Sequence, residues 1–338
     1  MTPLIRCASL TNLGDVAAQC HLDVRALLHE AGLPARCLDE PDLRVPVANV
    51  VHLLELAAAR AHEPTFGLRM AESRRLSNLG ALGLLLREEP TLRDALEATV
   101  RYVHVQNEAL AFEVEQVGKL VMIRIGLLAA QGRCQRQAIE LCIGVTFRLL
   151  SIFMGADWHP RLVCFSHGAP AKLDVHRRVF GEAVEFGHEF SGIVCNAAEL
   201  DARNPGADPV MALYAQRLLE REPQHARRWS LRVQQLALTL LPRGHCRVEV
   251  VAQHLGVDRR TVCRRLTEEG TSFSQIVEDL RSELLAHYRA DDTRPLGEVA
   301  ALLGFSTPTN FSRWHRARFG YAARSARRSR REEVLAHE

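Results

Sequence analysis

Apolar residues recur at helical spacing along much of the chain and alternate with polar ones in a single stretch. Val50, Leu53, Leu54, Leu56 and Ala57 predict an amphipathic helix over 47–62. Leu92, Ala95, Leu96, Thr99 and Val103 predict another over 91–104, and 81–87 is apolar enough for a buried helix. Residues 10–33 read as a short helical opening, Pro41 and Pro46 punctuate the loop after it, and 135–154 returns to helix. Between these helices, 111–116 and 120–125 are enriched in β-branched residues on either side of Gly118 and Lys119, which predicts a hairpin. Further strands are expected over 162–165, 183–186 and 192–195. The cluster Asn204, Pro205, Gly206, Asp208 and Pro209 breaks the pattern and opens a connection with a polar helix over about 210–222. Beyond Pro223 there is no strand signal. The expected architecture is an α+β domain over 1–205, a connection over 206–227, an all-α domain over 228–327 and a charged tail over 328–338.

Charge sharpens this division. The 338 residues carry 43 Lys and Arg against 40 Asp and Glu, a net +3 that points to no partner by itself. From Arg227 onward, however, 20 Arg stand against 13 acidic residues, while 1–226 holds 23 basic against 27 acidic. A basic half beside an acidic half points to a nucleic-acid or membrane surface on the basic side. Hydrophobic residues at 47% and charged residues at 25% exclude a disordered or low-complexity chain. The opening residues lack a basic segment followed by an apolar run, so no signal peptide is expected. The apolar run 79–86 is too short to span a bilayer and 141–154 is cut by Arg148, so no membrane partner is expected. Nine cysteines without a Cys-x-x-Cys pair suggest free thiols in the cytoplasm, and no metal or other cofactor is expected.

The chemistry concentrates in an internal repeat. Residues 251–261 recur at an offset of 48 as 299–309, with Val251/Val299, Ala252/Ala300, Leu255/Leu303, Gly256/Gly304, Thr261/Thr309 and Arg265/Arg313 identical. Each copy reads as helix-turn-helix, over about 248–269 and 296–319. Gly256 and Gly304 suit the left-handed conformation that closes a helix. Val257 and Phe305 plug the turns, and Asp258 and Ser306 are the expected N-caps. With Val262 and Leu266 facing inward, Arg259, Arg260, Cys263 and Arg264 fall on the outer face. With Phe311 inward, Thr309, Ser312, Arg313 and Arg316 point outward. Arg on the outer face of a short helix can grip a guanine edge bidentately or neutralise phosphate. Between the copies, Ile276, Leu280, Leu284 and Tyr288 predict a helix of about 16 residues. Its length of ~24 Å suits two reading heads placed near one duplex turn apart.

At these residues the sequence resembles the AraC/XylS family of bacterial transcriptional regulators over about 228–327, with 258–273 and 304–313 similar to its two hallmark segments. The resemblance implies a two-headed, seven-helix DNA-binding domain. It implies base contacts from Arg260, Cys263 and Arg264 in the first head and from Thr309, Ser312 and Arg313 in the second. His315 stands where the family has an aromatic residue, and Ala322 and Ala323 where it has Ser or Thr followed by Pro, which bears on the rigidity of the second head. The first 200 residues resemble the sensor domain of regulators of catabolic operons, with 180–187 matching its pattern.

The expected function is an effector-responsive activator that binds double-stranded promoter DNA, contacts RNA polymerase and forms a homodimer in the cytoplasm. Arg101, His104, Arg124 and His167 are the candidates for meeting a carboxylate effector. The alternatives are an effector-independent dimeric regulator and an enzyme. The enzyme reading finds no nucleophile elbow, metalloprotease motif, dinucleotide fingerprint or phosphate loop. It would need a His, Cys and acid trio assembled from scattered residues.

Overall fold

The computed structural model describes residues 2–128, 134–221, 228–290 and 294–323. It divides into two compact units, one running to Gln235 and one from Leu236 onward.

In the first unit a short strand pair, β1 (Leu4–Arg6) and β2 (Arg44–Pro46), brackets two seven-residue helices, α1 (Leu13–Gln19) and α2 (Val24–Glu30). Helices α3 (Val47–Ala61), α4 (Phe66–Glu72), α5 (Gly80–Glu88) and α6 (Leu92–Gln106) follow. A five-stranded sheet is then built from β3 (Leu110–Val117), β4 (Leu120–Leu127), β5 (Leu162–Phe165), β6 (Val184–Phe186) and β7 (Ser191–Asn196), in the order β3-β4-β7-β5-β6. Every neighbouring pair is antiparallel except β5 with β6. The expected hairpin turns at Gly118, whose φ of 60° lies in the left-handed region. Its register pairs Phe112 with Ile125 and Val114 with Ile123.

Helix α7 (Arg136–Met154) is the centre of this unit, packed on α3, α4 and the strands β4 and β7. By length and composition it is apolar enough to cross a bilayer. Its buried residues nevertheless include Gln137 and Glu140, which marks it as a core helix with internal polar partners. Gln137 Oε1 accepts the Gly67 amide at 2.8 Å. The crossing with α4 depends on small residues. A Cβ on Gly144 would lie 2.5 Å from the Ala71 Cβ, and one on Gly67 would lie 2.0 Å from the Gln137 carbonyl oxygen. Helix α8 (Asp174–Phe180) covers β6, and α9 (Pro209–Arg221) packs on α5.

The structure adds four elements to the expected set: β1, β2, α4 and α8. The strands have three residues each, too few for an alternation to register. The seven residues of α4 include five buried ones, Phe66, Gly67, Leu68, Met70 and Ala71, so the helix has little polar face to give its sequence a period. The helix expected in the connection is built into the first unit, because Ala215 and Leu219 are buried with Leu82, Leu86 and Tyr102.

Helix α10 (Trp229–Leu240) runs across the division between the units. The second unit continues with α11 (Val248–His254), α12 (Arg259–Glu268), α13 (Phe273–Ala290), α14 (Leu296–Leu302) and α15 (Pro308–Phe319). At 18 residues α13 is slightly longer than expected, about 27 Å. The tail over 328–338 and the helix-ending Asp291 and Asp292 lie outside the described residues.

Candidate DNA-binding heads and a cavity in the first unit

The two helix-turn-helix copies close their turns with the same hydrogen bonds. In the first, Gly256 N–H donates to Gln253 O at 3.1 Å and Val257 N–H to Ala252 O at 3.0 Å. In the second, Gly304 N–H donates to Ala301 O at 2.8 Å and Phe305 N–H to Ala300 O at 3.0 Å. Both glycines are left-handed, with φ of 67° and 74°. The bond from the residue after glycine back to the fifth residue before it is the Schellman closure, and it turns the chain sharply enough to start the next helix.

The copies diverge immediately after the turn. Asp258 caps α12, its Oδ1 accepting the Thr261 amide at 2.7 Å, and that bond holds its carboxyl below the usual value. The cap of α15 is Thr307, whose Oγ1 accepts the Asn310 amide at 3.2 Å; Ser306, the expected cap, is one residue too early. Pro308 takes the first helical position, where a missing N–H is harmless. The second turn therefore has one residue more than the first. From the caps onward the structural equivalence runs at an offset of 49, not 48. Thr261/Thr309 and Arg265/Arg313, identical at the shorter offset, are not equivalent in space.

The corrected register aligns the candidate readers. Arg260 and Thr309 are second in their helices, Cys263 and Ser312 fifth, Arg264 and Arg313 sixth. All six are exposed, as are Arg259 and Arg316. The buried positions also coincide: Val262 with Phe311, and Leu266 with His315. Among the described residues Arg260, Arg313 and Arg316 have no carboxylate partner. Arg259 pairs with Glu249 at 3.2 Å and Arg264 with Glu268 at 3.7 Å. These are exposed pairs of small stabilising value that phosphate can displace.

Three contacts brace the second head on α13. Trp314 Nε1 donates to Glu278 Oε2. Arg281 donates from Nε to Leu303 O at 3.0 Å and lies 4.3 Å over the Phe305 ring. Arg318 meets Asp279 at 3.2 Å. His315 fills the aromatic slot with an imidazole. It is fully buried against Phe311, Phe319 and Tyr321, and its Nδ1 is 2.9 Å from Tyr321 O. Ala323 is buried in the same cluster.

In the first unit the four effector candidates are spread out. Arg101 is exposed on α6, over its neighbour Tyr102, and His104 is half-buried one turn further on. Arg124 faces Glu115 at 3.5 Å and lies 4.2 Å over the Phe190 ring, a position held by the hairpin face. His167 Nε2 is 3.4 Å from Glu140 Oε1. Here a His and acid cluster does assemble. Fully buried Glu140 also faces Arg136 Nε at 2.9 Å and His176 Nε2 at 3.3 Å, under the rings of Phe165 and Phe186. Burial lowers the His167 pKa, so its imidazole is neutral at neutral pH. The Arg136 guanidinium is the cationic side chain paired with Glu140 in this cluster. Among the described residues no group of three or more His, Cys, Asp or Glu is placed to hold a metal.

The concave feature of this unit lies elsewhere. A cavity of about 120 Å³ opens among α3, α5, α6, α7 and the strands β3 and β4, with Val51, Leu54, Leu86, Phe112, Leu141 and Leu149 among its walls. None of the four candidates lines it; Arg6 and Arg74 do. Its walls carry the ordinary spacing of core positions, so the sequence offered no signal for it.

The comparisons with known proteins agree with both halves. The family described as the arabinose-binding domain of AraC transcription regulator, N-terminal, matches residues 22–204, and a helix-turn-helix domain family matches 251–329. The HTH-type transcriptional regulator VirS of Mycobacterium tuberculosis is 30% identical over 96% of each chain. The ornithine utilization regulator of Pseudomonas aeruginosa is 26% identical over 92% of each. A crystal structure of the transcriptional regulator CdpR from Pseudomonas aeruginosa aligns with 93% of this chain and 98% of that one, at 19% identity and a TM-score of 0.44. With both characteristic domains in order and a relative matched almost end to end, the chain belongs to the AraC family of helix-turn-helix transcriptional regulators.

Proposed function

We propose that the protein is an effector-responsive activator of a catabolic operon, acting in the cytoplasm as a homodimer that contacts RNA polymerase at the promoter. Its second unit reads two successive major grooves. Arg260, Cys263 and Arg264 meet base edges in one, and Thr309, Ser312 and Arg313 in the next. Arg259 and Arg316 contact phosphate. The observation that carries this reading is the matched set of second, fifth and sixth helix positions, exposed in both heads above the same two buried anchors. Arg264 and Arg313 occupy the same place in both helices, which suits a guanine in each half of the site. Cys263 is a weak donor, so the arginines dominate discrimination in the first head. The arabinose-binding-like first unit and the ornithine utilization regulator among the relatives favour a small-molecule effector from catabolism.

The test is a footprint on an operator recovered by selection from random DNA. Two protected major-groove segments per protomer, on one face and about ten base pairs apart, are expected. A single protected groove would refute two-headed reading. Affinity is also expected to fall steeply with salt, as phosphate contacts require.

A further inference from the structure

We propose that the cavity of the first unit binds an aliphatic monocarboxylate, its carboxylate on Arg74 and its chain between α3, α5, α6 and α7. The proposal rests on the effector-sensing reading and names the ligand class for it.

Arg74 lies just past Ser73, the C-cap of α4, lines the cavity and is 6% exposed. Nη1 donates to Ala8 O at 3.2 Å, and Nη2 donates to the carbonyls of Ser9 and Thr11, the latter at 3.0 Å. Its buried Nε–H has no acceptor. Burial pulls the guanidinium down to about 10, so it remains cationic at neutral pH. Among the described residues no carboxylate answers that charge: the cavity lining contains no Asp or Glu. Cys142 stands beside it as a neutral thiol, because burial pushes its pKa up to about 12. Arg6, on the same lining, shows the usual arrangement, paired with Asp42 and donating to Gln106. A buried cation held by carbonyl dipoles alone is costly, and an anion from outside the chain relieves it.

The rest of the lining selects the body of the ligand. Phe112 is its one aromatic ring; the other apolar walls are mostly branched aliphatic side chains that suit an alkyl chain. Apart from Ser9, the remaining polar residues are already engaged within the fold. Thr99 and Thr146 donate to carbonyls of their own helices. Gln106 donates to Leu79 O, Asn107 accepts the Ala109 amide, and Asn78 accepts the Arg75 amide. A polyhydroxylated sugar would need several convergent free partners. Ser9 Oγ, also on the lining, is buried without a partner and offers a second contact to the head group.

The experiment is calorimetric titration of the full-length protein with sodium decanoate, decan-1-ol and decylamine below their aggregation limits, with operator retardation in parallel. Decanoate is expected to bind at least tenfold more tightly than decanol, and decylamine not at all. Arg74→Met is expected to erase the preference for acid over alcohol. Because Arg74 ties three backbone carbonyls, that variant could fail to fold; the wild-type ranking alone then decides. Equal or tighter binding of decanol, or no binding of decanoate, overturns the proposal while operator recognition stands. Binding of decanoate with the expected ranking supports the site; if retardation is then unchanged, effector control fails and the site remains.

Discussion

Gly256 and Gly304 hold the same left-handed turn in the two heads, yet their surroundings differ. Nothing lies within 4 Å of a Cβ built on Gly256, whereas one on Gly304 would come 2.7 Å from the Leu241 carbonyl oxygen. Gly256→Ala is therefore expected to cost about 1–2 kcal/mol from backbone strain alone. Gly304→Ala is expected to cost distinctly more, since backbone must move as well. Chemical denaturation of the two variants checks this, and an equal or reversed order would contradict it. The turn glycines were legible in the sequence because the conformational demand falls on one residue type. The second cap was not: Ser306 and Thr307 are both competent, and only the hydrogen bond to Asn310 distinguishes them. Arg74 was invisible for a related reason. An arginine after a short helix has the appearance of a surface charge until the chain folds Ala8, Ser9 and Thr11 around it.

Helices α12 and α15 show how a repeat can keep its buried anchors and outer face while its sequence register slips. One extra residue in the second turn moves the cap, and the whole outer face moves with it. Arg264 and Arg313 therefore coincide although Arg265 and Arg313 are the identical pair. Helix α13 does more than separate the heads. Glu278, Asp279 and Arg281 on its first half fasten α15 and the turn before it. In the first unit α7 carries Glu140 into the core beside Arg136, His167 and His176. Burial holds His167 neutral in the folded state, so below its ordinary pKa of 6.5 the unfolded chain binds the proton more readily. Stability from this group is full above about pH 6.5 and declines as the pH drops into the lowered range. His167→Gln is expected to flatten the fall in melting temperature between pH 7.5 and 5.5. Coincident pH profiles for variant and parent would contradict it. The longer helices and the hairpin were legible because their periods run for about four turns or a full strand pair. The seven-residue α4 and α8 and the three-residue β1 and β2 were too short to declare themselves.

Across the molecule the net +3 averages two unlike parts, an acidic first unit and an Arg-rich second one. That asymmetry and the tandem turns made the reading heads recognisable without a structure. The cavity shows where such reading stops. A pocket walled by core residues from several elements leaves no local pattern, and polar effector candidates chosen by residue type scattered to ion pairs and the surface. The central claim is that both heads discriminate sequence through equivalent arginines. It is tested most directly by measuring the ratio of specific to non-specific DNA affinity for Arg260→Ala with Arg264→Ala, and separately for Arg313→Ala. Losing a bidentate arginine is worth about 1–3 kcal/mol of discrimination. The ratio is therefore expected to fall by ~10-fold or more in each variant, each at its own half of the operator. An unchanged ratio in either variant, with binding merely weakened equally on all sequences, would contradict the account.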